Sequence, residues 1–378
     1  MQLPRRADLW LPGYLRSALD ARRERAERRG PTDILFCVAD HYEPLHGNVS
    51  VAVGQRRVDA WCRRFPQLAA RFEDADGRSP QHTFFFPIEQ YSPQYVDALA
   101  ELCAAGFGEV EVHLHHDADQ SERLRQTLLG FVRTLSSRHR LLSRDRSGRI
   151  AYGFIHGNWA LDNSLPDGRL CGVNDEITVL RETGCYADFT LPAAPSPAQT
   201  RMVNRIYYAV DDPVAPRSHD VGVRASVGGP LRDDALLLVQ GPLALTWNRA
   251  KWGLLPRLDN ASLHAVNPPT LNRLVDWISC GISVAGRPEW VFVKVHTHGA
   301  VEANAEMLLG PRMERFHREM LDAFNDGNRY RLHYVTAREM VNIVHAAEAG
   351  ARGNPAESRD HLYSPPEIRR AAHRASPF

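Results

Sequence analysis

The sequence predicts an α/β fold, an irregular (β/α)7–8 barrel with loop insertions and an N-terminal helix. Three observations predict it. From Asp33 onward short apolar runs alternate with stretches of helical period, the pattern of strands feeding helices. Eight such runs occur, enough strands to close a barrel. At 378 residues the chain exceeds the roughly 250–300 at which one core stops growing, so a large barrel with extensions, or two domains, is expected.

Residues 1–31 carry eight arginines against four acids, and Leu11, Tyr14, Leu15 and Leu19 follow a helical period, so a basic helix is expected there. Packing on the outside of the main domain is the preferred reading of this helix; peripheral contact with an anionic membrane surface is the alternative. The strands are expected at 34–39, 82–86, 110–115, 151–156, 185–190, 235–240, 290–296 and 331–336. Helices are expected between them at 53–72, 93–105, 119–141, 174–183, 269–280 and 311–325, with 337–347 closing the domain. Two stretches rich in proline and glycine, 192–234 and 241–288, interrupt the repeat and are expected to shape a binding rim. The resulting division is a basic helix over 1–31, a barrel domain over 32–347 with those insertions, and a polar, loosely ordered tail over 348–378.

Composition narrows the function. The 46 basic and 45 acidic side chains leave a net charge of +1, without the surplus that binding a nucleic acid backbone requires. No nucleic acid partner is expected. No window approaches the roughly 18 apolar residues of a membrane span, so no transmembrane segment is expected either. Only Lys251 and Lys294 are lysines, so the arginines reflect coding bias more than guanidinium chemistry. The six cysteines are scattered without a C-x-x-C pair, and no apolar leader follows the early arginines, so a cytoplasmic location is expected. The phosphate-binding G-x-x-x-x-G-K, the H-E-x-x-H zinc motif and the G-x-S-x-G elbow are all missing.

The chemistry concentrates at the ends of the predicted strands, where a parallel α/β barrel builds its site. The first strand runs into Asp40 and His41, the third into His113, His115, His116 and Asp117, and the fourth into His156. The fifth carries Asp188, and the seventh ends in His296 and His298. In Glu109–Asp117, period-two alternation sends Glu109, Glu111, His113, His115 and Asp117 to one face and Val110, Val112 and Leu114 to the other. Imidazole and carboxylate groups on one face suit a divalent first-row metal, with zinc the expected ion. Asp40 and His41 are adjacent and cannot point the same way in an extended strand, which suits one of them to a metal and the other to a proton. Glu43 is an acid that can face the same mouth. Asn158 and Trp159 are expected to hydrogen-bond to and stack on a sugar-like ligand.

In order along the chain these segments resemble the polysaccharide deacetylase superfamily, over most of Asp33 to Thr336. The resemblance implies an irregular (β/α)7 barrel. Asp40 and His41 occupy the place of that family's Asp-Asp pair, one the base and the other a metal ligand. His113 and Asp117 fall in register with its H-x-x-x-H motif, and His296 or His298 with its late catalytic histidine. His41 and Asp117 stand where the family has Asp and His, and the segment around His156 replaces its arginine-proline motif.

The expected function is a metal-dependent hydrolase of an amide or ester bond, removing an acetyl group from an N-acetylated carbohydrate or a glycolipid precursor. His41, His113, Asp117 and His115 are the expected ligands. Asp40 is the expected base and His296 or His298 the expected acid, oriented by Asp188 and His156; Glu43, Asn158 and Trp159 touch substrate. The alternatives are a two-metal phosphoesterase or amidohydrolase and a non-catalytic carbohydrate-binding barrel.

Overall fold

The computed structural model describes residues 4–229, 232–251 and 255–368. The parts of the expected N-terminal helix, insertions and tail that fall on 1–3, 230–231, 252–254 and 369–378 lie outside the described residues. The chain opens with α1 (Ala7–Glu27), β1 (Thr32–His41), α2 (Val51–Ala69), β2 (His82–Pro87), α3 (Pro93–Ala104), β3 (Gly108–Leu114) and α4 (Ser121–Ser137). A short β4 (Ser143–Arg144) precedes β5 (Ile150–His156), α5 (Glu176–Glu182) and β6 (Cys185–Asp188). All eight expected strands and all eight expected helices form.

The insertions hold more structure than their composition suggests: β7 (Ile206–Val210) and β8 (Val223–Arg224) lie before the expected β9 (Ala235–Val239), and β10 (Ala244–Lys251), β11 (Leu255–Asp259) and β12 (Ser262–Leu263) before the expected α6 (Leu271–Ser279). β13 (Trp290–Thr297), α7 (Glu302–Leu308), α8 (Pro311–Phe324), β14 (Tyr330–Tyr334) and α9 (Ala337–Glu348) complete the order.

The result is a mixed α/β protein with a large, mostly parallel central sheet. Its order is β12-β13-β1-β2-β3-β5-β6-β9-β7-β8, with β14 on β1 and β4 on β5. β7 runs antiparallel to both β8 and β9, and β10 and β11 pair antiparallel in a separate two-stranded sheet. One edge of β1 pairs with β13 from Asp33 to Asp40; the other is shared between β14, from Thr32 to Phe36, and β2, from Ala39 to His41. With neighbours on both edges all ten residues of β1 are buried, as its unbroken apolar run requires. Beyond β8, backbone bonds continue from Ala225 N–H to Ile206 O, from Ala285 N–H to Ala225 O and from Phe292 N–H to Ile282 O.

Alternation divides the sheet into two faces. Phe36, Val38, Phe84, Val110, Val112 and Leu114 join Trp61, Leu99, Leu128 and Phe316 of the outer helices in one core. Leu35, Cys37, Ala39, Phe85, Ile155 and Phe292 take the other face and pack on Met340, Val341 and Val344 of α9. Burial of each valine, leucine, isoleucine, phenylalanine or methionine side chain among them contributes about 1.5–3 kcal/mol. All twelve residues of α9 are buried, so its polar members need partners. Arg338 pairs with Glu109 on β3 at 2.8 Å, and Asn342 bonds the backbone of Arg359, Leu362 and Tyr363. The tail through this stretch is therefore pinned to α9, which corrects the expectation of loose order.

α1 packs on the body through buried Trp10, ion pairs of Asp20 with Arg205 and Glu24 with Arg224, and a bond from Arg25 to Ser279 O. No helix among the described residues is long and apolar enough to cross a membrane. All six cysteines are free.

Candidate metal centre

β1, β3 and β13 run parallel and end at one pole. Register sets Ala39 beside His296, and His113 beside Ile155 of β5. His41 continues the inward face of Cys37 and Ala39, and His113 that of Glu109 and Glu111. His115 and His298 extend β3 and β13 by one further alternation, and Glu43 follows β1 by two residues.

Glu43 is the centre of the group. Its Oε1 lies 3.4 Å from His113 Nε2, 3.7 Å from His115 Nε2 and 3.6 Å from His298 Nε2, while Oε2 lies 2.7 Å from His46 Nδ1. Two trios, His41–Glu43–His298 and Glu43–His113–His115, have ligand atoms close enough to share an ion. His113 Nδ1 donates to Ile155 O at 3.0 Å, so in the neutral ring Nε2 is a bare lone pair turned toward a carboxylate. His115 Nδ1 donates to Glu89 at 2.5 Å, which orients its Nε2 in the same way. His41 is fully buried, and neither of its ring nitrogens has a hydrogen-bond partner. Its ring stacks between Trp159 at 4.7 Å and His298 at 4.8 Å. His296 is buried with Nδ1 unpartnered, edge-on to Trp159 at 5.0 Å.

These spacings fit a metal. Two donors held at about 2.05 Å by one tetrahedral ion stand about 3.3–3.4 Å apart, close to the Glu43–imidazole distances. The electrostatics agree. Burial works against the Glu43 carboxylate, but His113, His298 and His46 hold its pKa down to about 2. Burial and neighbouring imidazoles push His41 and His296 well below the usual histidine value, and burial takes His298 to about 4. Near neutral pH the pocket thus holds a carboxylate and several neutral nitrogen donors, which calls for a cation.

Close backbone approach shapes the walls. A Cβ on Gly157 would stand 2.5 Å from the His115 ring, and one on Gly299 would stand 2.1 Å from Asp40 Oδ2. Trp159 has a left-handed backbone, φ 62°, costly for a bulky residue, and this turn brings its indole against His41.

Several expected residues are placed elsewhere. Asp40 points to the outer-helix side, its carboxylate 2.8 Å from His82 Nε2 and 2.6 Å from Gly299 N, and fully buried; it does not face the cluster. The reason is parity: with His41 inward, its neighbour must face out. Asp117 lies past the strand end, exposed, with Oδ1 accepting from Leu170 N at 2.5 Å and Ala118 N at 3.0 Å, and it belongs to neither trio. Asp188 bonds Thr190 at 2.7 Å near Lys294; burial raises the carboxyl pKa and lowers that of the lysine. His156 joins a second group with His116, Cys171 and Glu176, and Asn158 donates to His116 O at 3.0 Å. Glu43, expected at the mouth as a substrate contact, is the shared carboxylate, and His298, expected as an acid, stands among the potential ligands. Glu89 and Glu176 went unread because each acts through a histidine distant in sequence.

No protein-family model matches the chain, and no curated protein matches it.

Proposed function

We propose that the chain is a metal-dependent hydrolase acting on an amide or ester bond, with deacetylation of an N-acetylated carbohydrate or sugar-containing precursor the best-supported reaction. The observation that carries the reading is Glu43 Oε1 facing three imidazole nitrogens at 3.4–3.7 Å beside the unpartnered His41. Glu43 would hold the ion together with His113 and His115 or with His41 and His298. A bound divalent ion, zinc by donor type, would polarise the acyl carbonyl and activate water.

The chain's own residues do the rest. His296 offers its unpartnered Nδ1 to a proton at the chamber wall, replacing Asp40 in the acid/base role. Trp159 gives an apolar face on which a sugar ring can stack, and Glu89 holds His115 in its donor tautomer. The bonds that carry the β8 edge through Ala225 and Ala285 toward β13 support an irregular barrel, and the strand-end placement of the histidines supports kinship with the polysaccharide deacetylases. The unpaired cysteines support a reducing, cytoplasmic setting. A two-metal variant is less well supported, since the three imidazoles meet the same Glu43 oxygen.

The test is acetate release from an N-acetylated oligosaccharide, and hydrolysis of an aryl acetate, by the purified chain before and after chelation. Turnover that chelation abolishes and zinc restores is expected. Hydrolysis that survives both chelation and Glu43→Gln would overturn the proposal.

A further inference from the structure

A second group lies apart from the Glu43 trios. His116, just past β3, His156 at the end of β5, Cys171 in the following loop and Glu176 at the start of α5 come together, although they span 60 residues of chain between His116 and Glu176. All four are buried or nearly so, with Glu176, His156 and Cys171 at 0% exposure. His116 Nε2 is 3.1 Å from Glu176 Oε1, and its Nδ1 is 3.3 Å from Asp119 Oδ2. Cys171 Sγ is 3.4 Å from Glu176 Oε2, which also accepts from Asp162 N at 2.6 Å. The rings of His116 and His156 are 4.6 Å apart.

From this geometry we infer a second, thiolate-containing zinc site, in which His116 Nε2, Cys171 Sγ and the Glu176 carboxylate are the protein ligands. Donors at about 2.0 Å for oxygen or nitrogen and 2.3 Å for sulfur stand about 3.3–3.5 Å apart around a tetrahedral ion; His116 Nε2 is 3.1 Å from Glu176 Oε1 and Cys171 Sγ is 3.4 Å from Glu176 Oε2, so both carboxylate oxygens face the site. Asp119 Oδ2 lies 3.3 Å behind His116 Nδ1 without a hydrogen bond between them, near where the carboxylate partner of a zinc-bound imidazole stands. His156 supplies an independent sign of an occupant. Its Nδ1 accepts from Asn158 N at 3.2 Å, so the ring proton sits on Nε2, which is buried, has no partner and looks toward Glu176 Oε1 from 3.8 Å. That N–H is a donor for a water in the fourth position of the ion.

The site would fasten the loop between β5 and α5. Asn158 Nδ2 donates to His116 O and Leu170 O, and the same loop carries Trp159 into the Glu43 chamber. The inference does not rest on the proposed hydrolase activity.

The experiment is cobalt substitution of the full chain, produced in zinc-depleted, cobalt-supplemented medium. A thiolate-to-cobalt charge-transfer band in the near ultraviolet is expected in the wild type and in Glu43→Gln, and is expected to vanish in Cys171→Ser with the loss of one cobalt per chain. X-ray absorption of the zinc-loaded wild type should show a sulfur neighbour at about 2.3 Å, a readout that needs no variant to fold. Cobalt-loaded wild type without the band, or a band that persists in Cys171→Ser, would overturn the site. If the wild type binds a single cobalt and shows the band, this site stands and the Glu43 centre falls.

Discussion

Replacing Glu43 by Gln, beside a control Asp40→Asn, separates the arrangement seen in the structure from the one the Asp40–His41 pair suggests in the sequence. Glu43 gives its Oε1 to three edges of the proposed coordination shell, at 3.4, 3.6 and 3.7 Å, and is the only carboxylate common to both trios. Loss of an outer-sphere partner alone typically weakens metal binding 10–100-fold, so loss of this anionic ligand is expected to weaken it by at least about 100-fold, or ~2.8 kcal/mol. Among the described residues Asp40 bonds only His82 and Gly299, on the other side of β1. Asp40→Asn is therefore expected to leave metal affinity within about threefold while destabilising the fold by about 1.5–3 kcal/mol, the worth of a charged hydrogen bond. Competition with a chromophoric chelator reads the affinity and urea unfolding reads the stability, both in a Cys171→Ser background so that only this centre reports. Wild-type affinity in Glu43→Gln, or lost affinity in Asp40→Asn, would refute the assignment.

Three further predictions follow from contacts away from the carboxylate. Gly157→Ala places a methyl where the His115 ring lies, 2.5 Å from it, and is expected to reduce metal affinity at least tenfold with a smaller loss of stability; unchanged affinity would show that His115 is no ligand. Arg338→Met strands the buried Glu109 beneath α9 and should cost about 3–5 kcal/mol in urea unfolding, with much of it recovered in the double variant Arg338→Met/Glu109→Leu. Equal losses in the single and double variants would contradict the stranded-charge account. His317 is buried with its pKa lowered to about 3 by burial, against a usual 6.5. The unfolded chain binds the proton first, so stability present above about pH 6.5 is lost toward pH 3 at up to about 1.4 kcal/mol per pH unit. His317→Phe should flatten that slope relative to wild type; parallel pH profiles would show that this ring does not carry the effect.

The sheet was legible because each core strand is a continuous apolar run, and alternation in Glu109–Asp117 correctly put Glu109, Glu111 and His113 on one face. The rule failed at Asp117 because β3 ends at Leu114 and the chain turns. β7, β8 and β12 have 5, 2 and 2 residues, too short to show a period among prolines and glycines. α9 reads as a helix, but Arg338, Asn342, His345 and Glu348 suggest a wet face. Their burial depends on Glu109 and on the segment around Arg359–Tyr363, partners that lie far along the chain. The histidines and Glu43 were visible, and the other carboxylates that organise the histidines were not. Glu89 is 26 residues from His115 and Glu176 is 60 from His116, so only the folded chain makes them neighbours.

The occupant that competes with a metal at Glu43 is a proton, and the two make different demands on geometry. A charged imidazolium would draw the carboxylate to about 2.7–2.9 Å. His46 stands at that distance from Oε2, 2.7 Å, whereas the three contacts on Oε1 are all long and nearly equal, as expected of donors arranged about a common centre. It follows that three of these groups are already in their binding form near neutral pH: His41 and His298 are held neutral and Glu43 is ionised. His115 has its pKa raised: burial opposes its charge but Glu89 outweighs it. Zinc uptake by Cys171→Ser at pH 7 should therefore release about one proton or fewer per ion, measured by calorimetry in buffers of different ionisation enthalpy. Release of two or more would mean that protons, shared among the imidazoles, set the observed spacing, and the argument from distance to a metal would fail with it.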